Sequence, residues 1–185
     1  MKKTGICILI IIISIFLLGF ISIYIFKNRV SSNLESKNIA VRNSWKFFND
    51  KLCERDSLLN SQSLMKSDSL NYLLNKSRSE RTNKDNSIEI VFNEYQLNKF
   101  LMENVSETDT KILELNNSLN TLKTNYNSVV KDYNLYFSIF PNFIVAKKMH
   151  IKRAKYFEIE YGKVNENPIK KSEELPDWAK NIDTT

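Results

Sequence analysis

The sequence predicts an all-α protein: one transmembrane helix, then an antiparallel, up-and-down four-helix bundle whose second and third helices are short. Three observations carry this. Ile6 to Phe26 is apolar except for Ser14, Gly19 and Ser22. The 185 residues include only 3 Gly and 3 Pro, and neither type occurs from Ile21 to Phe140. Nothing in that interval breaks a helix or supplies the usual glycine of a tight turn. Apolar residues also recur there at spacings of three and four, the period of a helix with one buried face.

The elements follow in order. At about 1.5 Å per residue, Ile6 to Phe26 crosses a hydrocarbon core of roughly 30 Å, which makes residues 1–27 an anchor. The run is longer than the apolar part of a cleaved signal, and no small-residue cleavage site follows it. All of the apolar run but Ile6 follows Cys7 instead of leading to it, so Cys7 is not a lipoprotein cysteine. Lys2 and Lys3 precede the span, while Lys27, Arg29, Lys37, Arg42 and Lys46 follow it closely. That bias favours a cytoplasmic domain.

Leu34, Val41, Trp45, Phe48, Leu52 and Leu59 share a face, giving a first amphipathic helix. Leu64, Met65, Leu70, Leu73 and Leu74 carry the pattern on to about Arg81, as a second helix or an extension of the first. Thr82 to Ser87 reads as a turn. Ile88, Val91, Tyr95 and Leu101 mark a shorter third helix, and Asn104 to Thr108 a loop. Ile112, Leu115, Leu119, Leu122, Tyr126, Val130, Tyr133, Phe137 and Phe140 keep helical spacing over four heptads. The fourth helix is therefore expected to run from Ile112 to Phe140 and to be about 45 Å long. Together these define a helical domain over residues 34–160.

Within the fourth helix an aromatic repeats every seven residues, at Tyr126, Tyr133 and Phe140, and Asn127 and Asn134 directly follow the two tyrosines. Seven residues are two turns, so the aromatics stack on one stripe. Core packing against the first helix, near Trp45, Phe48 and Leu52, explains the tyrosines. Asparagine is a poor helix former, so Asn127 and Asn134 either hydrogen-bond across to another helix and fix its register, or are simply solvated.

The run YNSVVKDYNLYFSIFP, ending at Phe140 and Pro141, closely resembles the C-terminal signature of the LemA family. These are bacterial proteins with an N-terminal membrane anchor and an all-helical domain. Ile144, Ala146, Lys147 and Lys155-Tyr156-Phe157-Glu158 resemble the family's continuation. Trp45, Leu52, Arg55, Asp56, Leu58 and Asn60 resemble its first-helix pattern. The chain departs from that pattern in having Leu122-Lys123 where the family has a small residue and an arginine. The resemblance implies a bacterial inner-membrane, single-pass location, and it supplies a fold rather than a reaction.

Lys147, Lys148, Lys152, Arg153 and Lys155 form a basic cluster around His150, with apolar residues interleaved. An even number of antiparallel helices returns the end of the fourth to the membrane end of the first. The cluster is thus a candidate contact for anionic lipid or a protein partner, or else a solvated run balanced by Glu158 and Glu160. Nucleic acid is not the expected partner. Residues 162–185 turn polar around Pro168 and Pro176 and are expected to be a flexible tail, with Trp178 as a candidate docking aromatic.

No catalytic, cofactor or metal residues are expected. The chain has a single His, and Cys53 lies far from it in sequence, so neither a metal cluster nor a nucleophile–base pair is recognisable. The expected function is a membrane-anchored helical scaffold or adaptor that binds another envelope or membrane protein, without catalysis. The alternative is a membrane-surface protein that organises or remodels lipid through residues 147–155. An enzyme of unrecognised type is third.

Overall fold

The computed structural model describes residues 2–61, 67–82, 88–104 and 110–174. In chain order its helices are α1 (Lys2–Ser61), α2 (Asp68–Thr82), α3 (Ile88–Asn104), α4 (Thr110–Ser138), α5 (Asn142–Lys148) and α6 (Pro168–Glu174), and no strand occurs among the described residues. The expected turn and loop after α2 and α3, together with Leu64, Met65 and Trp178, lie outside the described residues.

The first helix does not restart after the anchor. α1 is one helix of 60 residues, about 90 Å long, that carries the apolar span and the first amphipathic helix without a break. The residues between them hold the helix because Val30 and Leu34, 3% and 0% exposed, already sit on the buried face. Among the described residues one helix is long and apolar enough to cross a membrane, and it is this N-terminal helix.

α4 packs along α1 with opposite direction. Asn33 Nδ2 donates to the Tyr136 hydroxyl at 3.1 Å, the rings of Trp45 and Tyr126 are 5.3 Å apart, and Leu58 and Leu115 line one surface depression. α2 and α3 form a short antiparallel hairpin at the end of α1 distant from the anchor, where Leu59, Leu70, Leu74, Leu97, Leu101 and Ile112 share an apolar cluster. The expected third-helix face is met at Val91 and Leu101, which are buried, and needs correction at Ile88, which is exposed, and at Tyr95, which is half-buried; Ile90 and Leu97 complete the buried face.

α4 stops at Ser138, two residues earlier than expected. Asn142 N–H donates to the Ile139 carbonyl at 2.7 Å, turning the chain into α5. Phe140 therefore leaves the stripe and is 72% exposed, whereas Tyr126 and Tyr133 are buried. After α5 the chain runs without helix or strand from Ile151 to Tyr161 as a strap, antiparallel to α4. It buries Phe157, Ile159 and Tyr161 against α1 and α4, with Phe157 5.0 Å from Phe48 and 5.9 Å from Trp45. Residues 162–174 are described, α6 contacts α3, and Lys171 pairs with Glu158 at 2.6 Å.

Truncating Tyr126 or Tyr133 to Ala is expected to cost about 2–5 kcal/mol, the range for large buried side chains. Changing either to Phe, which removes only a hydroxyl bond to the strap, should cost about 1 kcal/mol. Thermal unfolding of the detergent-solubilised chain measures both. An unchanged Tm for the Ala variants would mean that the stripe is not core.

Candidate functional site

The asparagines that follow the tyrosines hold the strap. Asn134 Nδ2 donates to the Ala154 carbonyl at 2.8 Å, and Asn134 Oδ1 accepts from the Ala154 N–H at 2.9 Å. Asn127 makes the same pair with Phe157 at 2.7 and 2.9 Å, and Asn120 with Tyr161 at 3.0 and 2.9 Å. Each side-chain amide thus does for one strap residue what a neighbouring β-strand would do.

The spacing is physical. Seven residues of helix rise about 10.5 Å, and three or four extended residues span about 10–13 Å, so Asn120, Asn127 and Asn134 match Tyr161, Phe157 and Ala154. The hydroxyls of Tyr126 and Tyr133 add bonds to the Lys155 and Lys152 carbonyls at 2.8 and 2.7 Å. Neither expected role for Asn127 and Asn134 is therefore the observed one. They bond the backbone of an extended segment, not another helix.

Beyond Tyr161 the chain turns at Gly162, whose φ of 73° favours glycine and where an added Cβ would stand 2.8 Å from Asn116 Nδ2. Asn98 of α3 then accepts from Gly162 N–H at 2.9 Å and donates to the Lys163 carbonyl at 2.9 Å. The strap is in this way fastened first to α4 and then to α3. Lys123, in the departure from the expected arginine, is buried beside it with Nζ 3.5 Å from Glu160 Oε1.

Tyr161 also closes a buried polar layer between the two apolar clusters. Arg55 and Asp56 of α1, Ser77 and Arg81 of α2, and Glu94 of α3 are all at most 5% exposed. Arg55 Nη1 and Nη2 donate to the two Glu94 oxygens at 2.7 and 3.1 Å, and its Nη2 also reaches Asp56 Oδ1 at 2.8 Å. Arg81 donates to Glu94 at 2.6 Å through Nη1 and to Asp56 through Nη2. Ser77 Oγ and Tyr161 OH complete the shell of Glu94, the tyrosine at 3.1 Å. The Arg55 guanidinium lies over the Tyr161 ring, 5.5 Å from its centroid.

Two arginines face two carboxylates, so the layer is neutral overall. Burial opposes charge on Glu94, but Arg55 and Arg81 outweigh it and lower its pKa from 4.5 to about 2. Burial likewise opposes the charge on Arg55, and Glu94 and Asp56 more than restore it. Burial first, then the nearby Glu94 charge, raises the Tyr161 hydroxyl well above its ordinary value. A general base works near its own pKa, whereas Glu94 is saturated with donors and held ionised. The layer therefore fixes α1, α2, α3 and the strap to one another, and it is not arranged for proton transfer near neutral pH.

Of the residues singled out from sequence, Trp45, Leu52, Arg55, Asp56, Tyr126, Asn127, Tyr133 and Asn134 gather along the α1–α4 seam and its polar layer. Phe140 and Pro141 lie apart, at the turn that ends α4. Lys147, Lys148, Lys152, Arg153 and Lys155 are all exposed. Arg153 donates to Ser138 Oγ at 3.0 Å and lies 5.7 Å over the Phe137 ring.

Ser77, Arg81, Glu94, Asn98, Asn120 and Tyr161 join the polar layer and the strap's fastenings without being expected from the sequence. For Ser77, Arg81 and Glu94 the signal is a polar residue inside an apolar stripe: Leu70, Leu74, Ser77, Arg81 on α2, and Ile90, Glu94, Leu97, Leu101 on α3. Cys53 is exposed. Among the described residues no group of three or more His, Cys, Asp or Glu is placed to hold a metal ion.

Glu94→Gln leaves the two arginines short of a counter-charge and is expected to cost about 3–5 kcal/mol near neutral pH. Folding depresses the pKa of Glu94, so its contribution is present above pH 4.5 and is lost as pH falls toward about 2. The gap in Tm between wild type and variant should accordingly narrow over that window. A gap independent of pH would contradict the ionised state assigned to Glu94.

No curated protein and no solved structure matches the chain. The family model described as the LemA family matches residues 75–170. The match spans α2 from its middle, α3, the Tyr-Asn repeats of α4, α5, the strap and the start of α6, and the chain belongs to the LemA family.

Proposed function

We infer that the protein is a membrane-anchored helical scaffold of a bacterial inner membrane, which presents a rigid arm to another membrane or envelope protein and carries out no catalysis. The observation that carries this reading is the continuity of α1: the same 60-residue helix forms the apolar span and one side of the core. With no Gly or Pro from residue 21 to 140, the arm has no built-in hinge at the membrane and stands at a fixed height and rotation. Such a stalk suits a protein whose task is to place a surface, since rigid presentation lowers the ordering cost of binding. The cations Lys27, Arg29, Lys37, Arg42 and Lys46 after the span favour a cytoplasmic arm.

The arm also carries large apolar residues on its outside. Ile39 and Phe47 are 50% and 65% exposed, about 20 and 32 Å along α1 from Phe26, which is beyond the headgroups of a bilayer crossed by that helix. A photocrosslinking residue at position 39 or 47 in native membranes is expected to trap protein. Inserting a Gly-Gly-Ser hinge after Phe26 should reduce the yield severalfold without lowering the amount of folded chain. Crosslinks to lipid alone, or a yield unaffected by the hinge, would overturn the reading.

A further inference from the structure

We propose that the turn ending α4 and the helix after it, Ile139 to Lys148, form a foot that dips its apolar side chains into the same bilayer α1 crosses and sets Lys147, Lys148, Lys152 and Arg153 against anionic headgroups. This rests on the membrane-anchored part of the scaffold reading and adds a second, reversible contact between the arm and lipid.

Height comes first. The apolar run ends at Phe26, and Asn33, which meets Tyr136 of α4 at 3.1 Å, lies about 10 Å farther along α1. α4 runs back toward the bilayer from that level and ends at Ser138, about 3 Å lower. The next residues therefore start about 7 Å above the hydrocarbon. Bilayers of about 40–45 Å with a core of about 30 Å leave roughly 5–7 Å of headgroup layer on each side. The foot is at that layer.

Its chemistry fits the place. Ile139, Phe140, Phe143 and Ile144 are 58%, 72%, 44% and 41% exposed, an unusual amount of large apolar surface for one short segment. The rings of Phe140 and Phe143 lie 6.2 Å apart, so they form one patch. On the other side, Asn142, Val145 and Ala146 are buried, and α5 contacts both α1 and α4. The foot is held by the bundle on one face and left apolar on the other. The cations follow directly at the end of α5 and the start of the strap, and all of them are exposed. An apolar face in the interface with Lys and Arg toward the headgroups is the arrangement of interfacial helices on anionic membranes.

The test uses the full chain reconstituted in vesicles, with Cys7→Ala and Cys53→Ser, and an environment-sensitive fluorophore attached at Phe143→Cys. A label at Ile12→Cys reports the anchor and one at Leu113→Cys the distal arm. Lipids with a spin label near the headgroup should quench the label at position 143 strongly in vesicles containing phosphatidylglycerol, and weakly in phosphatidylcholine alone. Most of the quenching should be lost in high salt, or when Lys147, Lys148, Lys152 and Arg153 are all changed to Gln. Position 12 should be quenched throughout and position 113 not at all.

Quenching at position 12 but not at 143 in anionic vesicles would overturn the foot while leaving the anchor intact. Equal quenching at 143 in both lipids, unaffected by salt, would overturn the headgroup contact. Absence of quenching at position 12 would overturn the anchored reading itself. Circular dichroism of the four-Gln variant keeps a loss of quenching distinct from unfolding.

Discussion

An extended segment that presses Phe157 and Ile159 into a helical core has no neighbouring strand to satisfy its backbone, and a backbone bond left unmade where water is excluded costs about 1–3 kcal/mol. The strap from Ile151 to Tyr161 meets that constraint with side chains. Asn120, Asn127 and Asn134 of α4 each supply one donor and one acceptor to a single strap residue. The heptad of α4 follows from this. Tyrosine and asparagine at adjacent positions put a ring into the α1 seam and an amide beside it toward the strap, and the next such pair comes two turns later. A leucine in place of the amide would pack against the helix but leave the strap's backbone groups without partners.

The strap in turn positions what lies at its two ends. At one end it delivers Tyr161 to Glu94 and places Gly162 under Asn98, which connects the α1–α4 pair to the α2–α3 hairpin through a buried, charge-balanced layer. An apolar layer would have made the same join with less need for exact partners, but it would have fixed the rotation of α2 and α3 less strictly, because a guanidinium bonded to two carboxylates accepts few orientations. At the other end the strap's first residues hold the chain leaving α5. The foot thus stays at the base of α4, at a height set by the unbroken α1.

Much of this was legible in the sequence. The absence of Gly and Pro, the apolar span and the stripe on α4 gave an all-helical chain with an N-terminal span, and the Tyr-Asn repeat led to the right family. What stayed hidden has physical causes. Continuity of α1 depends on Val30 and Leu34 being buried, which is a property of the partner surface and not of the segment. The strap has no period of its own, since its residues are chosen by α4's amides, so its first part reads only as the end of the basic cluster of residues 147–155. The polar layer was visible only as interruptions of the α2 and α3 stripes, and charge balance among Arg55, Asp56, Arg81 and Glu94 appears only when three helices meet. The end of α4 at Ser138 in place of Phe140 reflects the tertiary turn into α5, which the heptad alone does not encode.

The claim on which the others rest is that asparagine side chains replace a strand partner for the strap, and amide hydrogen exchange tests it most directly. In the intact chain the amides of Ala154, Phe157 and Tyr161 should exchange slowly although they belong to no helix or sheet. In Asn127→Ala the Phe157 amide should accelerate most, with Ala154 and Tyr161, still held by Asn134 and Asn120, less affected. Fast exchange of all three amides in the unsubstituted chain, or no change at Phe157 in the variant, would contradict it.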